Sequence, residues 1–257
     1  EYSPTKGSDE PVETGIGFLA FNPSTGSNPG VFDNVINMFG FGSLTGGAGN
    51  NFATGDGAAQ TIILGPGDDT TFGGAGDDSV GSTTGDDVIY GNQGNDTVFG
   101  GQDDDRLFGG ADQDAVYGNQ GADTLFGNIG TDTGFGGQGD DVIYGNQGDD
   151  QLSGNRGNDL LFGGQGNDVL QGQGGDDVLF GGQGGDRFTF VSDPQGADLG
   201  RDVIRDYNAA AGDVIAGSVF SASSTTTLED GSLRLSAEDG SSVLVIGITD
   251  ISQLVFG

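Results

Sequence analysis

An aspartate recurs at every ninth position over more than a hundred residues: Asp69, Asp78, Asp87, Asp96, Asp105, Asp114, Asp123, Asp132, Asp141, Asp150, Asp159, Asp168, Asp177 and Asp186. The chain has neither His nor Cys, so these carboxylates are its principal metal-binding side chains. Oxygen donors without imidazole or thiolate select hard cations, Ca2+ foremost. The overall balance agrees, with 39 acidic residues against seven basic ones and a formal net charge of −32. Such a polyanion repels nucleic acid and anionic membrane surfaces. The missing residues also remove His- and Cys-ligated zinc, Ser-His-Asp and Cys-His catalysis, thiol redox chemistry and disulfides. Composition leaves carboxylate-pair hydrolysis open, but the expectation is that this chain is not an enzyme.

What must position those aspartates is a nonapeptide lattice. Written in nines from Leu64, the chain reads LGPGDDTTF, GGAGDDSVG, STTGDDVIY, GNQGNDTVF and onward to GGQGGDRFT, ending at Thr189 after fourteen repeats with no insertion or deletion. The sixth position is always Asp, and the eighth is Val, Ile, Leu or Phe except at Thr71 and Gly134. The decamer GDDVIYGNQG, present at 85–94 and again at 139–148, is a slice of this lattice. Two degenerate nonads precede it from Gly46, with Asn51 and Gln60 at the sixth position. Small residues at the first, second and fourth positions permit a tight turn whose carbonyls face a cation. The last three residues predict a minimal strand with its middle side chain inward. One inward aliphatic per strand is a thin core, so bound metal is expected to supply part of the folding free energy.

The pattern G-G-x-G-x-D-x-U-x, repeated in register, resembles the RTX repeat family. That resemblance implies an all-β fold, a right-handed parallel β-roll or β-solenoid, with Ca2+ held between successive 18-residue coils. It also implies the ligands. From one repeat come the second- and fourth-position carbonyls and the sixth-position carboxylate; from the repeat two further on come the first- and third-position carbonyls and its Asp. Carried over, the second-position carbonyls include Asn92, Asn119, Gly137, Asn146, Asn155 and Gly164. The fourth-position ones include Gly94, Gly121, Gly139, Gly148, Gly157 and Gly166. One site would join Asn92, Gly94 and Asp96 to Gly109, Ala111 and Asp114. Pairing all fourteen repeats this way gives about a dozen ions, which offsets most of the negative charge. Asp103 and Asp112 replace the fourth-position Gly, and Ser82-Thr83 replace two other small residues, leaving open whether those turns hold metal.

Alternate repeats fall on opposite sheets, and the two faces differ. The ninth position of the odd repeats is Phe72, Tyr90, Phe108, Phe126, Tyr144, Phe162 and Phe180, aromatic throughout. The even repeats give Gly81, Phe99, Tyr117, Phe135, Ser153, Gln171 and Thr189. The odd face therefore carries a continuous apolar ribbon, a candidate face for assembly unless flanking segments cover it.

Three regions are expected: an N-terminal arm or cap at 1–45, the roll at 46–189 with 46–63 degenerate, and a capping region at 190–257. In the last, SLRLSAEDGSSVLVIGI predicts a hairpin turning at Asp239-Gly240, and the closing ISQLVFG resembles a C-terminal type I secretion signal. No apolar run approaches the length of a membrane span and no basic-then-apolar leader is present. Starting at Glu1, the chain reads as a processed protein or an excerpt. Two functions are expected in order. The first is a secreted Ca2+-dependent structural or assembly protein, at the cell surface or outside, folding on Ca2+ and binding itself or another extracellular protein. The second is the Ca2+-binding secretion module of a larger exported hydrolase, toxin or adhesin. An ice-binding face ranks last, since Gln93, Gln120 and Gln147 are weak substitutes for threonine arrays.

Overall fold

The computed structural model describes residues 12–15, 19–20, 34–38, 40–190, 199–217, 225–228, 232–237, 241–246 and 254–255. All regular structure among them is β, in sheets of 11 and 14 strands. Successive strands alternate between the sheets: Val88–Gln93 lies in the larger, Thr97–Gln102 in the smaller, and Arg106–Ala111 in the larger again. Within a sheet the repeat strands are parallel and 18 residues apart, with Arg106 against Val88 and Leu107 against Ile89. Two nonapeptides thus make one coil, and the coils stack as a β-roll.

The strands are longer than the sequence pattern suggests. Most roll strands have six residues, running through the following first, second and third positions, as in Val88–Gln93. The reason lies in the first-position glycine. Lacking a side chain, it turns its Cα to the interior and keeps the buried–half-buried alternation going for another step. Eighth-position side chains form the core, from Val80, Ile89 and Val98 to Leu179 and Phe188, each essentially inaccessible. Gly134 leaves no void, because a Cβ there would stand 3.0 Å from Ile143 Cγ2 and 3.3 Å from Leu152 Cδ2. Thr71, the other exception, is buried with its hydroxyl unpaired.

Parallel stacking begins ahead of residue 46. Phe41–Thr45 stacks on Thr61–Ile63 and Asn34–Asn37 on Asn51–Thr54, burying Leu44 and Ile36 at core positions. Val12–Gly15 and Leu19–Ala20 close that end antiparallel to these two strands. Beyond the repeats, Arg201–Ile204 and Val214–Ala216 extend the two sheets in parallel. Ser242–Val245 then joins the larger sheet and pairs antiparallel with Leu233–Ser236, as a hairpin requires. The turn at Asp239-Gly240 lies outside the described residues, as does most of ISQLVFG. Among the described residues no helix is long and apolar enough to cross a membrane.

Candidate metal centres

Every sixth-position aspartate points into the turn region at the side of the roll, and none is more than 4% exposed. The carboxylates are strung on a backbone ladder. The N–H of Asp69 donates to Oδ1 of Asp87, that of Asp78 to Asp96, and so on to Asp168 and Asp186, at 2.7–3.0 Å. One oxygen of each is thereby fixed. The other, Oδ2, is buried and has no hydrogen-bond partner from Asp78 through Asp186. An acceptor buried without a donor is costly, and a buried carboxylate more so.

The unpartnered oxygens share a cradle. Asp78 Oδ2 and the carbonyl of Gly91 both lie 2.7 Å from the point where a Cβ on Gly73 would sit. Asp132 Oδ2 and the Gly145 carbonyl stand in the same relation to Gly127, at 2.6 and 2.9 Å. The repeat therefore needs glycine first, because any side chain there would fill the space in which a carboxylate and the carbonyl of the next coil converge. Second-position Asn92, Asn119, Asn146 and Asn155 and fourth-position Asp103 and Asp112 all adopt left-handed φ of 74–84°, the conformation their Gly counterparts hold. Asn and Asp tolerate it better than other residues.

The degenerate coils show what the cradle accepts. Asn51, at a sixth position, donates its Nδ2 hydrogens to the carbonyls of Gly47 (3.2 Å) and Gly49 (2.6 Å), the second and fourth positions of its own repeat. An amide nitrogen thus satisfies the carbonyls that converge in this turn. Gln60 plays a similar part, donating Nε2 to the Met38 carbonyl and Asp56 Oδ1, each at 3.2 Å. At the irregular turn, the Ser82 hydroxyl stands 3.2 Å from both Asp69 Oδ2 and the Gly65 carbonyl. It partners the one ladder aspartate in the repeats whose Oδ2 is not orphaned. Asp103 directs Oδ2 to the Gly85 N–H at 3.2 Å, along the rim rather than inward.

Without positive charge between them, these acids resist ionisation. Burial, reinforced by neighbouring carboxylates, pushes Asp105, Asp114 and Asp141 up to about 8. Burial likewise raises Asp87, Asp150, Asp159 and Asp168 to about 7. No three carboxylates converge among the described residues. That suits a centre built from two carboxylates and backbone carbonyls. The orphaned oxygens, the glycine cradle and the all-oxygen donor set fit a hard cation shared between coils. Such a cation would supply the charge that lets the ladder acids ionise.

The structure also shows a second ladder that the sequence pattern did not single out. Fifth-position side chains accept from the fifth-position N–H one coil later, as Asn95 donates to Asp77, Asn158 to Asp140 and Asn167 to Asp149. A signal existed, since ten of the fourteen fifth positions are Asp or Asn. The predicted aromatic residues form one column. From Phe72 through Tyr90, Phe108, Phe126, Tyr144 and Phe162 to Phe180 the rings stack at centroid spacings of 4.5–5.0 Å, tilted by at most 14°. On the other sheet, among the described residues, stacking joins Phe99, Tyr117 and Phe135. Each ring covers its neighbours and is half-buried.

Fold and site together define a parallel β-roll whose coils are built to share hard cations. The RTX calcium-binding nonapeptide repeat (4 copies) matches residues 45–80, 82–107, 99–133, 126–161 and 153–188, and the chain belongs to that calcium-binding family. No curated protein matches the chain. Among solved structures it is similar to the extracellular lipase LipA from Serratia marcescens, at 16% identity and a TM-score of 0.29. That likeness covers 88% of this chain and 42% of the lipase.

Proposed function

We propose that this chain is an exported structural or assembly protein that stays unfolded where calcium is scarce and folds on Ca2+ outside the cell, then associates through its aromatic column. Its ladder aspartates, with the turn carbonyls named above, hold the ions. Its work is binding rather than catalysis. The observation that carries the assembly reading is the difference between the two sheets. One bears seven aromatic rings in an unbroken stack; the other breaks off after Phe135, where Ser153 and Gln171 follow. An apolar strip along one side of an elongated sheet is a natural contact face for a second copy.

The test is light-scattering mass during a Ca2+ titration of the chain and of a variant with Phe108→Ser and Phe126→Ser. Growth beyond the 25.8 kDa of one chain, reversed by chelator and abolished in the variant, is expected. A folded wild-type monomer at saturating Ca2+ overturns the assembly reading and leaves the roll as the folding module of a larger exported protein.

A further inference from the structure

The smaller sheet carries an open groove of about 590 Å³ that belongs to neither the aspartate ladder nor the unbroken aromatic column. It crosses four successive strands of that sheet, Ala115–Gln120, Thr133–Gln138, Gln151–Arg156 and Val169–Gly174. It therefore runs along the stacking direction for about 14 Å, at the usual spacing of neighbouring strands. Its volume is that of a small-ligand site. At its centre is a socket. Gly137 gives a floor without a side chain, between Asn119 one coil before and Asn155 one coil after. Phe135, two residues earlier on the same strand, stands beside that floor. Tyr117 stacks on one face of the Phe135 ring at 5.2 Å. The next residue in that column is Ser153, so among the described residues no ring covers the other face.

A second, independent observation concerns Gln173, which also lines the groove. It holds φ of 75° and is, among the described residues, the one left-handed residue that is not Gly, Asn or Asp. Gly101 and Gly137 fill the corresponding position on other strands of this sheet. A glutamine there carries a backbone cost that glycine would avoid, and such strain gathers where a ligand is gripped. Its side chain donates Nε2 to Ser153 Oγ at 2.6 Å and to Asn155 Oδ1 at 2.9 Å. Asn155 donates Nδ2 to the Ser153 carbonyl at 3.4 Å. One amide wall of the socket is thereby held in place. Arg156 lines the same end, and no acidic residue lines the groove, in a chain that has 39 of them.

We propose that this groove binds a neutral glycan. A hexose ring presents apolar C–H groups on its face and hydroxyls around its edge. The uncovered face of Phe135 suits the first. The amides of Asn119, Asn155 and Gln173 suit the second, because each can both donate and accept; Arg156 adds donors. The net charge of −32 disfavours an anionic chain. A groove that runs straight across the coils selects an extended chain over a coiled one. The larger sheet has a poorer counterpart of about 450 Å³, where Gly110 lies between Asn92 and Asn128 beside Phe108. There the ring is stacked on both faces, by Tyr90 and Phe126, and offers no open surface. Because the groove and the assembly column lie on opposite sheets, either can hold without the other.

Equilibrium dialysis of labelled cellohexaose, an extended neutral glucose chain, against the calcium-saturated full chain tests this, with Phe135→Ser, Gln173→Gly and Asn128→Gly as variants. Serine already stands in the Phe135 column and glycine already fills the positions of the other two, so all three are expected to fold, as circular dichroism checks. Wild type is expected to bind, and the affinity to fall about tenfold in Phe135→Ser and in Gln173→Gly. Asn128→Gly, on the larger sheet, is expected to bind as wild type does. Gln173→Gly is also expected to keep or raise the melting temperature, since it relieves the left-handed strain. A lowered melting temperature with unchanged affinity would mean that Gln173 only braces Ser153, and would overturn its part in the site. Absence of binding by wild type, equal affinity in Phe135→Ser and Gln173→Gly, or tighter binding of oligogalacturonate or oligoproline than of cellohexaose overturns the proposal. A chain that binds cellohexaose as a monomer sinks the assembly reading alone; one that assembles without binding it sinks the glycan site alone.

Discussion

At the scale of single residues, the roll solves one problem in two ways. Turn carbonyls that converge need a positive partner, and the repeats leave that role to a cation. Asn51 uses its own amide instead, bonded to the Gly47 and Gly49 carbonyls. Substituting Asn51→Asp removes both donors and sets a carboxylate beside Asp69, which the Asn51 N–H already engages at 2.6 Å. In chelator at pH 5, where protonation of the ladder acids favours the roll, the variant is expected to lose stability by about 1–3 kcal/mol, the cost of unsatisfied buried acceptors and an added buried carboxyl. With Ca2+ it is expected to bind one ion more than wild type and recover. Native mass spectrometry and thermal melts in the two conditions check this. A variant with an unchanged ion count would mean that the cradle around Asn51 lacks the shape to hold metal. The sequence marked Asn51 as a missing carboxylate; it did not reveal the amide acting in a cation's place, because that requires knowing where two backbone carbonyls point.

At the scale of strands and coils, periodicity made the fold legible and the breaks in periodicity hid the rest. A strict nine-residue spacing with one inward aliphatic, as at Ile89 and Val98, is enough to expect alternating short strands on two sheets. It did not show that the strands run on through Gly91-Asn92-Gln93, because a glycine carries no side chain whose polarity reports burial. It also passed over Asp202 and Asp213, which accept the ladder hydrogen bonds of Asp177 and Asp186 across 25 and 27 residues rather than 18. Spacing is the signal in such a lattice, and an insertion erases it while the turn chemistry survives. Within the strand Thr70–Ala75, Thr71 sits in register between Ala53 and Ile89 with its hydroxyl buried and unpaired. Thr71→Val replaces that hydroxyl with a methyl of similar size. It is expected to stabilise the calcium-loaded roll by about 1 kcal/mol, since a buried unpaired hydroxyl is a net cost. A lowered melting temperature would show that the hydroxyl has a partner after all.

At the scale of the whole molecule, the net charge of −32 and the buried ladder make proton and calcium rival occupants of one set of oxygens. In the metal-free roll, burial raises the ladder acids from the ordinary value of 3.8 to about 6 at Asp123 and Asp132, about 7 at Asp159 and about 8 at Asp105 and Asp141. The folded form therefore binds more protons than the unfolded chain between those values, and stability falls as pH rises. The protonated roll keeps its full advantage below about pH 4 and loses it progressively as pH climbs to about 8. General repulsion among the outer carboxylates works in the same direction. Calcium inverts the sign, because the ligands must be ionised and binding releases their protons. Thermal melts followed by the β-sheet circular dichroism signal, at pH 5 and pH 8, separate the two regimes. In chelator the melting temperature is expected to be higher at pH 5; at millimolar Ca2+ it is expected to be higher at pH 8. A metal-free chain as stable at pH 8 as at pH 5 would mean that the buried aspartates ionise without a cation, and the ladder would then need some other source of compensating charge. Crossing of the two curves is the outcome expected of a chain that, as proposed, stays extended near neutral pH in chelator and closes into a roll when Ca2+ arrives.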